Sequence, residues 1–236
     1  MVTRRATKNV ETSAVSTGQA AALSSVFGKK PEGAIFLPDR PFEVRFNCKS
    51  GQFAIGDDKF LGNEAEISII GMRYYFGNLG LTKHSEWVQL FYVPAPKCVA
   101  SLPRDTVCVS YLKTRSVRSF QTTVAQVIAA SANPAEGIFK LRFAKHTGAA
   151  GEYFSIVFDW RQREADEVDQ LHQIVAFMSS DPGLADIQGT KNMVDVSGIS
   201  SMLVQQMIEL GQRQPDLSPR EIYEGIVNPN DALAVL

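Results

Sequence analysis

Cysteine is scarce in this sequence, and its spacing excludes two common ways of stabilising a fold. The 236 residues include three cysteines, Cys48, Cys98 and Cys108, without the close pairs of a zinc site or a disulfide framework. With 44% hydrophobic residues, the chain is long enough to bury a core of its own. We therefore expect one main domain with appendages, folded without metal or disulfide bonds, and buried thiols in a reducing compartment.

Long apolar runs are also missing from the chain. No stretch approaches the roughly 18 apolar residues that a membrane-spanning helix requires. The first residues, MVTRRATKNVETSAVSTGQ, are charged but lack the apolar run of a secretory signal peptide. The sequence thus predicts a cytoplasmic protein without a membrane partner.

Residue groups typical of catalysis are sparse. The three histidines, His84, His146 and His172, are far apart, and none has a cysteine or carboxylate at ligand spacing. Neither the phosphate-binding pattern GxxxxGKS/T nor the dinucleotide-binding pattern GxGxxG occurs. Asp57 and Asp58 could hold a metal ion, but a solvated turn is the favoured interpretation. We expect a non-enzymatic protein without cofactor or metal, and an unrecognised catalytic site is the least favoured alternative.

The N-terminal and C-terminal parts of the chain carry opposite net charges. Residues 1–163 contain 21 Lys and Arg against 13 Asp and Glu, a net charge of +8. Residues 164–236 contain 3 Lys and Arg against 12 Asp and Glu, a net charge of −9. This asymmetry indicates a surface that binds a polyanion and an acidic segment that competes for it or recruits partners. Ordinary solvated surface charge is the alternative.

Alternating apolar residues predict a series of strands after an N-terminal part, residues 1–32, whose Ser, Thr, Ala, Gln and Lys are typical of a flexible arm. The alternation is clear in residues 42–49, where Phe42, Val44 and Phe46 share one side. Further strands are predicted at residues 67–76, 87–93, 106–112, 137–145 and 152–161.

Helical spacing interrupts and follows the strands. Val117, Phe120, Val124, Val127 and Ile128 form one apolar stripe between the predicted strands 106–112 and 137–145. A second helix is predicted over residues 164–180, with Val168, Leu171, Val175 and Met178 on one stripe. A linker and two short helices follow, and the last of them begins at Ser218 with Glu221 as its capping-box partner.

The order of these elements predicts a mainly β fold with helices. A five-stranded Greek-key barrel of the OB type places a helix between its third and fourth strands, where this chain has one. We therefore expect an OB-like barrel with its following helix over residues 33–180 and an acidic linker with a helical C-terminal region over residues 181–236. A β-sandwich, another small barrel and an α+β sheet are the alternatives.

The stretch RYYFGNLGLTKHSEWVQLFY, residues 73–92, is rich in aromatic rings. Strand parity places Ile70, Met72, Tyr74 and Phe76, together with Val88, Leu90 and Tyr92, in the core. It leaves Arg73, Tyr75, Trp87 and Phe91 outside, where rings and a cation would form a platform for stacking bases. Core packing of these rings, or a one-residue register slip, is the alternative.

Basic residues accompany this predicted platform. The same parity places Arg45, Lys49, Lys140, Arg142, Lys145 and Arg161 on outward faces, where they would track a phosphate backbone. Lys83 lies in the turn of the aromatic hairpin, which would fold over a bound strand.

The segments RYYFGNLG and EWVQLFY, followed by SVRSFQTTVAQVIA and an acidic C-terminal region, resemble single-stranded DNA-binding proteins of the OB-fold type from bacteria and phages. The resemblance covers residues 33–180 and concerns layout. Those proteins often end in an acidic peptide with a terminal aromatic residue, whereas this chain ends NPNDALAVL. The apolar residues Leu233, Val235 and Leu236 after Asp231 could serve a similar purpose in recruiting partners.

These observations predict a protein that binds single-stranded nucleic acid, DNA before RNA, without sequence specificity, in replication, recombination or repair. Ring stacking and phosphate neutralisation would supply the affinity. The alternative is a structural or protein-interaction module that uses the aromatic face. Homo-oligomers and protein partners of the C-terminal region are further expectations.

Overall fold

The computed structural model describes residues 33–149 and 151–227. The predicted arm, residues 1–32, and the last residues, 228–236, lie outside that range. The strands are β1 Phe42–Glu43, β2 Arg45–Asn47, β3 Gln52–Ile55, β4 Lys59–Gly62, β5 Glu64–Leu79, β6 Thr82–Pro94, β7 Cys108–Lys113, β8 Ile138–Gly148, β9 Gly151–Arg161 and β10 Met193–Asp195. The α-helices are α1 Arg115–Ala129, α2 Val168–Ser179, α3 Ser201–Arg213 and α4 Pro219–Val227. The strands are thus confirmed at each predicted position, and so are the helices.

The strands form two separate sheets. A seven-stranded mixed sheet has the order β1-β7-β6-β5-β8-β9, and β10 pairs with β5 beside this path. The strands β2, β3 and β4 form a three-stranded antiparallel sheet of their own. The long hairpin of β5 and β6 is therefore the centre of the large sheet.

The predicted OB-like barrel is wrong, because the large sheet does not close on itself. A row of hydroxyl groups on α1 occupies the outer edge of β9. Ser116 Oγ accepts from the backbone N–H of Ile156 at 3.0 Å, and Thr123 Oγ1 donates to the carbonyl of Phe158 at 2.7 Å. At the other end of the sheet, β7 pairs with the short parallel strand β1. A helix thus satisfies backbone groups that a closing strand would use in a barrel.

A β-bulge decides which side chains of β5 enter the core. The register between β5 and β6 shifts between Ile69 and Gly71, which places an extra residue on β5. Ile67 before the bulge and Tyr74 after it therefore both pack against the main core. Ile70, predicted in that core, packs in a second cluster instead. One inserted residue reverses the parity, which an alternating pattern does not reveal. Met72 was also predicted in the core and is 47% exposed, although it has the parity of Tyr74.

The main core lies on one face of the large sheet. Val88 and Leu90 of β6 are fully buried there against Phe120 of α1 and Phe53 of the small sheet. This cluster contains most of the large buried side chains, including Tyr92. The apolar stripe of α1 is thus confirmed as a buried surface, apart from its last residue, Ile128, which is exposed.

The opposite face of the large sheet is covered as well. Phe91 and Val93 of β6 pack against Ile174 of α2, Leu184 of the following segment and Ile35 near the start of the described chain. These covering residues come from parts of the chain far from β6. The sheet is therefore buried on both sides at its centre, and its strands carry apolar residues on both faces.

The C-terminal elements pack on the same chain. The strand β10 continues the sheet by pairing with the end of β5, with Val194 opposite Phe76. Met207 of α3 and Ile222 of α4 are fully buried against Phe76. The predicted capping box is confirmed at the start of α4, where Ser218 and Glu221 exchange hydrogen bonds. Within the described ranges, none of the helices combines the length and apolar character that crossing a membrane requires.

Candidate nucleic-acid interface

The rings of the predicted stacking platform are buried, so the prediction that they are exposed is wrong. Tyr75 opposes Trp87 in the sheet, but Tyr75 is 3% exposed, Trp87 5% and Phe91 1%. The indole N–H of Trp87 donates to the carbonyl of Gly77, and Tyr75 Oη accepts from the backbone N–H of Gly189. Phe91 lies under α2, and Tyr75 lies against the segment after it. Because all three rings are buried, no base can stack on them.

Arg161, predicted on an outward basic face, belongs to a partly buried ionic network. Its guanidinium contacts the carboxylates of Glu66 and Glu167, both at 2.6 Å. The hydrogen bonds from Arg161 lower the pKa of the Glu167 carboxyl to about 2. Burial alone would raise the pKa of Glu66, but hydrogen bonds from Arg161 and Lys140 outweigh it and hold that pKa below its ordinary value. Arg161 therefore joins β9 to β5 and to the turn before α2, and it is not free to bind phosphate.

Most other predicted cations are exposed, but acidic side chains accompany them. Lys145 lies 2.7 Å from Glu152, and Lys140 lies 3.2 Å from Glu66. A phosphate chain near these cations would meet carboxylates as well. The remaining exposed or half-buried pairs are Arg142 with Asp159, Arg45 with Asp57 and Arg73 with Asp195.

Lys49 and Lys83 are the two predicted cations for which the described part of the chain shows no ion pair. Both are exposed. Lys83 follows Thr82, whose hydroxyl accepts from Lys113 Nζ at 2.8 Å. Lys49 follows Cys48, whose carbonyl accepts from the backbone N–H of Phe154. Lys83 therefore lies in the first residues of β6 and not in the predicted turn, and Lys49 lies close to β9.

An exposed ring is present instead on the outward face of the β8–β9 hairpin. Tyr153 is 37% exposed and lies opposite His146 in the sheet, with 5.2 Å between the ring centroids. The guanidinium of Arg115, the first residue of α1, lies 5.9 Å from the centre of the Tyr153 ring. A cation and a ring in this arrangement attract one another.

Hydrogen bonds fix the orientation of these groups. Arg115 Nη1 donates to His146 Nδ1 at 2.9 Å, because a guanidinium can only donate. His146 then carries its proton on Nε2, which lies 2.8 Å from Ser155 Oγ and donates to it. The residue before Arg115, Thr114, has a φ of 47° and directs the chain from β7 into α1.

We call Arg115, Arg142, His146 and Tyr153 the hairpin patch. Arg142 belongs to it because the pairs His146–Tyr153 and Arg142–Val157 lie four residues apart on the same side of the hairpin. Among the described residues, Arg115 has no carboxylate within ion-pair distance, and neither has Arg118 one turn further along α1. The patch thus combines an accessible ring with cations that acidic side chains do not fully neutralise.

The sequence contained a signal for one member of this patch. Phe154, Ile156 and Phe158 predict the inner face of β9, so the same alternation places Tyr153 outside. Arg115 and His146 could not be selected in this way, because their contact joins residues 31 positions apart. Within residues 33–149 and 151–227, no cluster of His, Cys, Asp or Glu could hold a metal ion.

Comparison of the chain with the known protein families, with curated proteins and with solved structures finds no match.

Proposed function

We propose that this protein binds single-stranded nucleic acid, DNA before RNA, on the hairpin patch, in replication, recombination or repair. The observation that carries the proposal is the contact between the accessible ring of Tyr153 and the guanidinium of Arg115. Every base has a π-face, so an exposed ring binds unpaired bases without regard to sequence. In a duplex those faces are already stacked, which favours single strands.

Charge in the patch suits a phosphate backbone. Arg115 donates to a neutral imidazole, so its positive charge is available to an anion. The pair of Arg142 and Asp159 spans 3.3 Å between two exposed side chains, and such pairs contribute little to stability. Arg142 can therefore exchange its carboxylate partner for a phosphate at small cost, which gives one cation over the stacking ring and a second about 13 Å further along the same face.

Fluorescence anisotropy with a labelled oligothymidine measures the contribution of the Tyr153 ring to binding. We expect Tyr153→Ala to weaken binding about 5- to 150-fold, the equivalent of about 1–3 kcal/mol for one stacked base. Phe60→Ala is the matched control, because Phe60 is a 49% exposed ring on β4 of the other sheet. Equal losses in both variants would contradict the proposed site.

The salt dependence of the same titration measures the phosphate contact of Arg115. Arg115→Ala should reduce the slope of log affinity against log salt by about 0.7, because one phosphate contact to a single strand is lost. Arg213→Ala removes an exposed arginine from α3 and should leave the slope unchanged. An affinity of the wild type that does not fall with salt would contradict the proposal and favour the protein-interaction alternative.

A further inference from the structure

The outer side of α2 carries an apolar stripe that the described residues leave uncovered. Val168, Leu171, Val175 and Met178 follow the spacing of three and four residues that places side chains on one helix face. Val175 is 56% exposed and Met178 38%, whereas Ile174, which adjoins Leu171 and Met178 on the helix, is buried against the sheet. The apolar surface of the helix is therefore wider than the part that its own sheet covers.

The described chain begins next to this helix. Ile35 is buried in the same cluster as Ile174, so the residues just before it start beside α2. An extended chain covers about 3.3–3.6 Å per residue, so the six residues from Phe27 to Gly33 span up to about 20 Å. A helix with its side chains is about 10–12 Å wide. Residues before Gly33 can therefore reach the outer side of α2.

The sequence before Gly33 has the composition that such a surface would bind. Ala20, Leu23 and Phe27 repeat the spacing of three and four residues found in the stripe, and Val26 adds a further apolar side chain. These residues are followed by Lys29 and Lys30.

Charge on the two segments is complementary. Residues 1–32 contain 5 Lys and Arg against 2 Asp and Glu, a net charge of +3. Residues 164–179 contain four acidic side chains and no lysine or arginine, but Glu164 and Asp166 pair with Lys97, and Glu167 pairs with Arg161. The fourth, Asp169 in the first turn of α2, is exposed and next to Val168 of the stripe. Attraction between the two segments adds to the apolar match.

We propose that the outer stripe of α2 is the docking surface for residues 20–30 of the same chain. A second copy is a poorer occupant, because four side chains on a 12-residue helix fall far short of the roughly 1,200 Å² that a stable interface buries. A segment of the same chain needs less area, since its tether gives it a high local concentration. The proposal does not depend on nucleic-acid binding.

The methyl group of Met178 reports on this contact directly. In the full chain with ¹³C-labelled methionine methyls, Phe27 on the stripe would shift the Met178 signal upfield through its ring current. We expect Phe27→Leu to move that signal toward the position of a solvent-exposed methionine. Met72 is the matched control, because its side chain is 47% exposed on β5 and its signal should stay in place. Met178→Leu assigns the signal.

A second variant distinguishes docking of residues 20–30 of the same chain from docking of a second copy. Deleting residues 1–28 should move the Met178 signal as Phe27→Leu does, at every protein concentration. A Met178 signal that both changes leave in place overturns the proposal. A signal that depends on the concentration of the full chain, and is unaffected by the deletion, also overturns it and identifies a second copy as the occupant.

Discussion

The ionic network of Arg161 and Glu167 should make the stability of this protein depend on pH in the acid range. The Glu167 side chain is fully buried, and its carboxylate receives hydrogen bonds from Arg161 at 2.6 and 2.7 Å. It also accepts from the backbone N–H of Glu164, which closes the turn before α2. We therefore choose Glu167→Gln as the perturbation, since it removes the charge and keeps the shape.

The magnitude follows from the two pKa values of Glu167. Its carboxyl has a pKa of about 2 in the folded protein and an ordinary value of 4.5 in the unfolded chain. The lower folded value means that unfolding takes up a proton, so the stabilisation is complete above about pH 5. It is lost as the pH falls through about 2. A difference of about 2.5 in pKa corresponds to at most about 3 kcal/mol of unfolding free energy.

Urea unfolding at pH 7, 5 and 3 measures this contribution. The wild type should lose stability between pH 5 and pH 3, and Glu167→Gln should be less stable at pH 7 by about 2–3 kcal/mol, with a shallower loss below pH 5. Glu152→Gln is the control, because it removes an exposed carboxylate from the same strand as Arg161. Parallel pH profiles for wild type and Glu167→Gln would refute the assignment of this network.

Other changes test the fold on which the patch rests. Trp87→Ala should lower the unfolding free energy by about 3–5 kcal/mol in urea titrations, because the ring is in the core. A loss below about 1 kcal/mol would instead indicate that the ring is exposed. Ser116→Ala should cost about 1–3 kcal/mol, since it leaves the N–H of Ile156 unpaired, and faster hydrogen exchange at that amide would identify the cause. Gly211→Ala should lower the thermal midpoint, because the new Cβ would lie 2.4 Å from the ring of His84, and an unchanged midpoint would show that α3 packs differently.

Local patterns in the sequence were sufficient for most of the secondary structure, although no predicted strand covers β4 or β10. Alternation in β9, with Phe154, Ile156 and Phe158 on one side, predicts a strand, because a side-chain period of two arises only from an extended backbone. The spacing of Val117 and Phe120 predicts α1 for the corresponding reason. These signals depend on residues close in the chain, so they remain readable without the fold.

The tertiary structure alone decided which face of each strand is exposed to water and which cations lack an ion pair. Trp87 and Phe91 share a face as their parity requires, yet both are buried, and Phe91 packs in one cluster with Ile174 of α2, more than 80 positions later in the sequence. The stripe of α2 shows the converse, since Val175 is apolar and remains on the outside. The period of the apolar residues identifies the two faces of a strand or helix. Whether a face is buried depends on what packs against it, and that is set by contacts between residues distant in the chain.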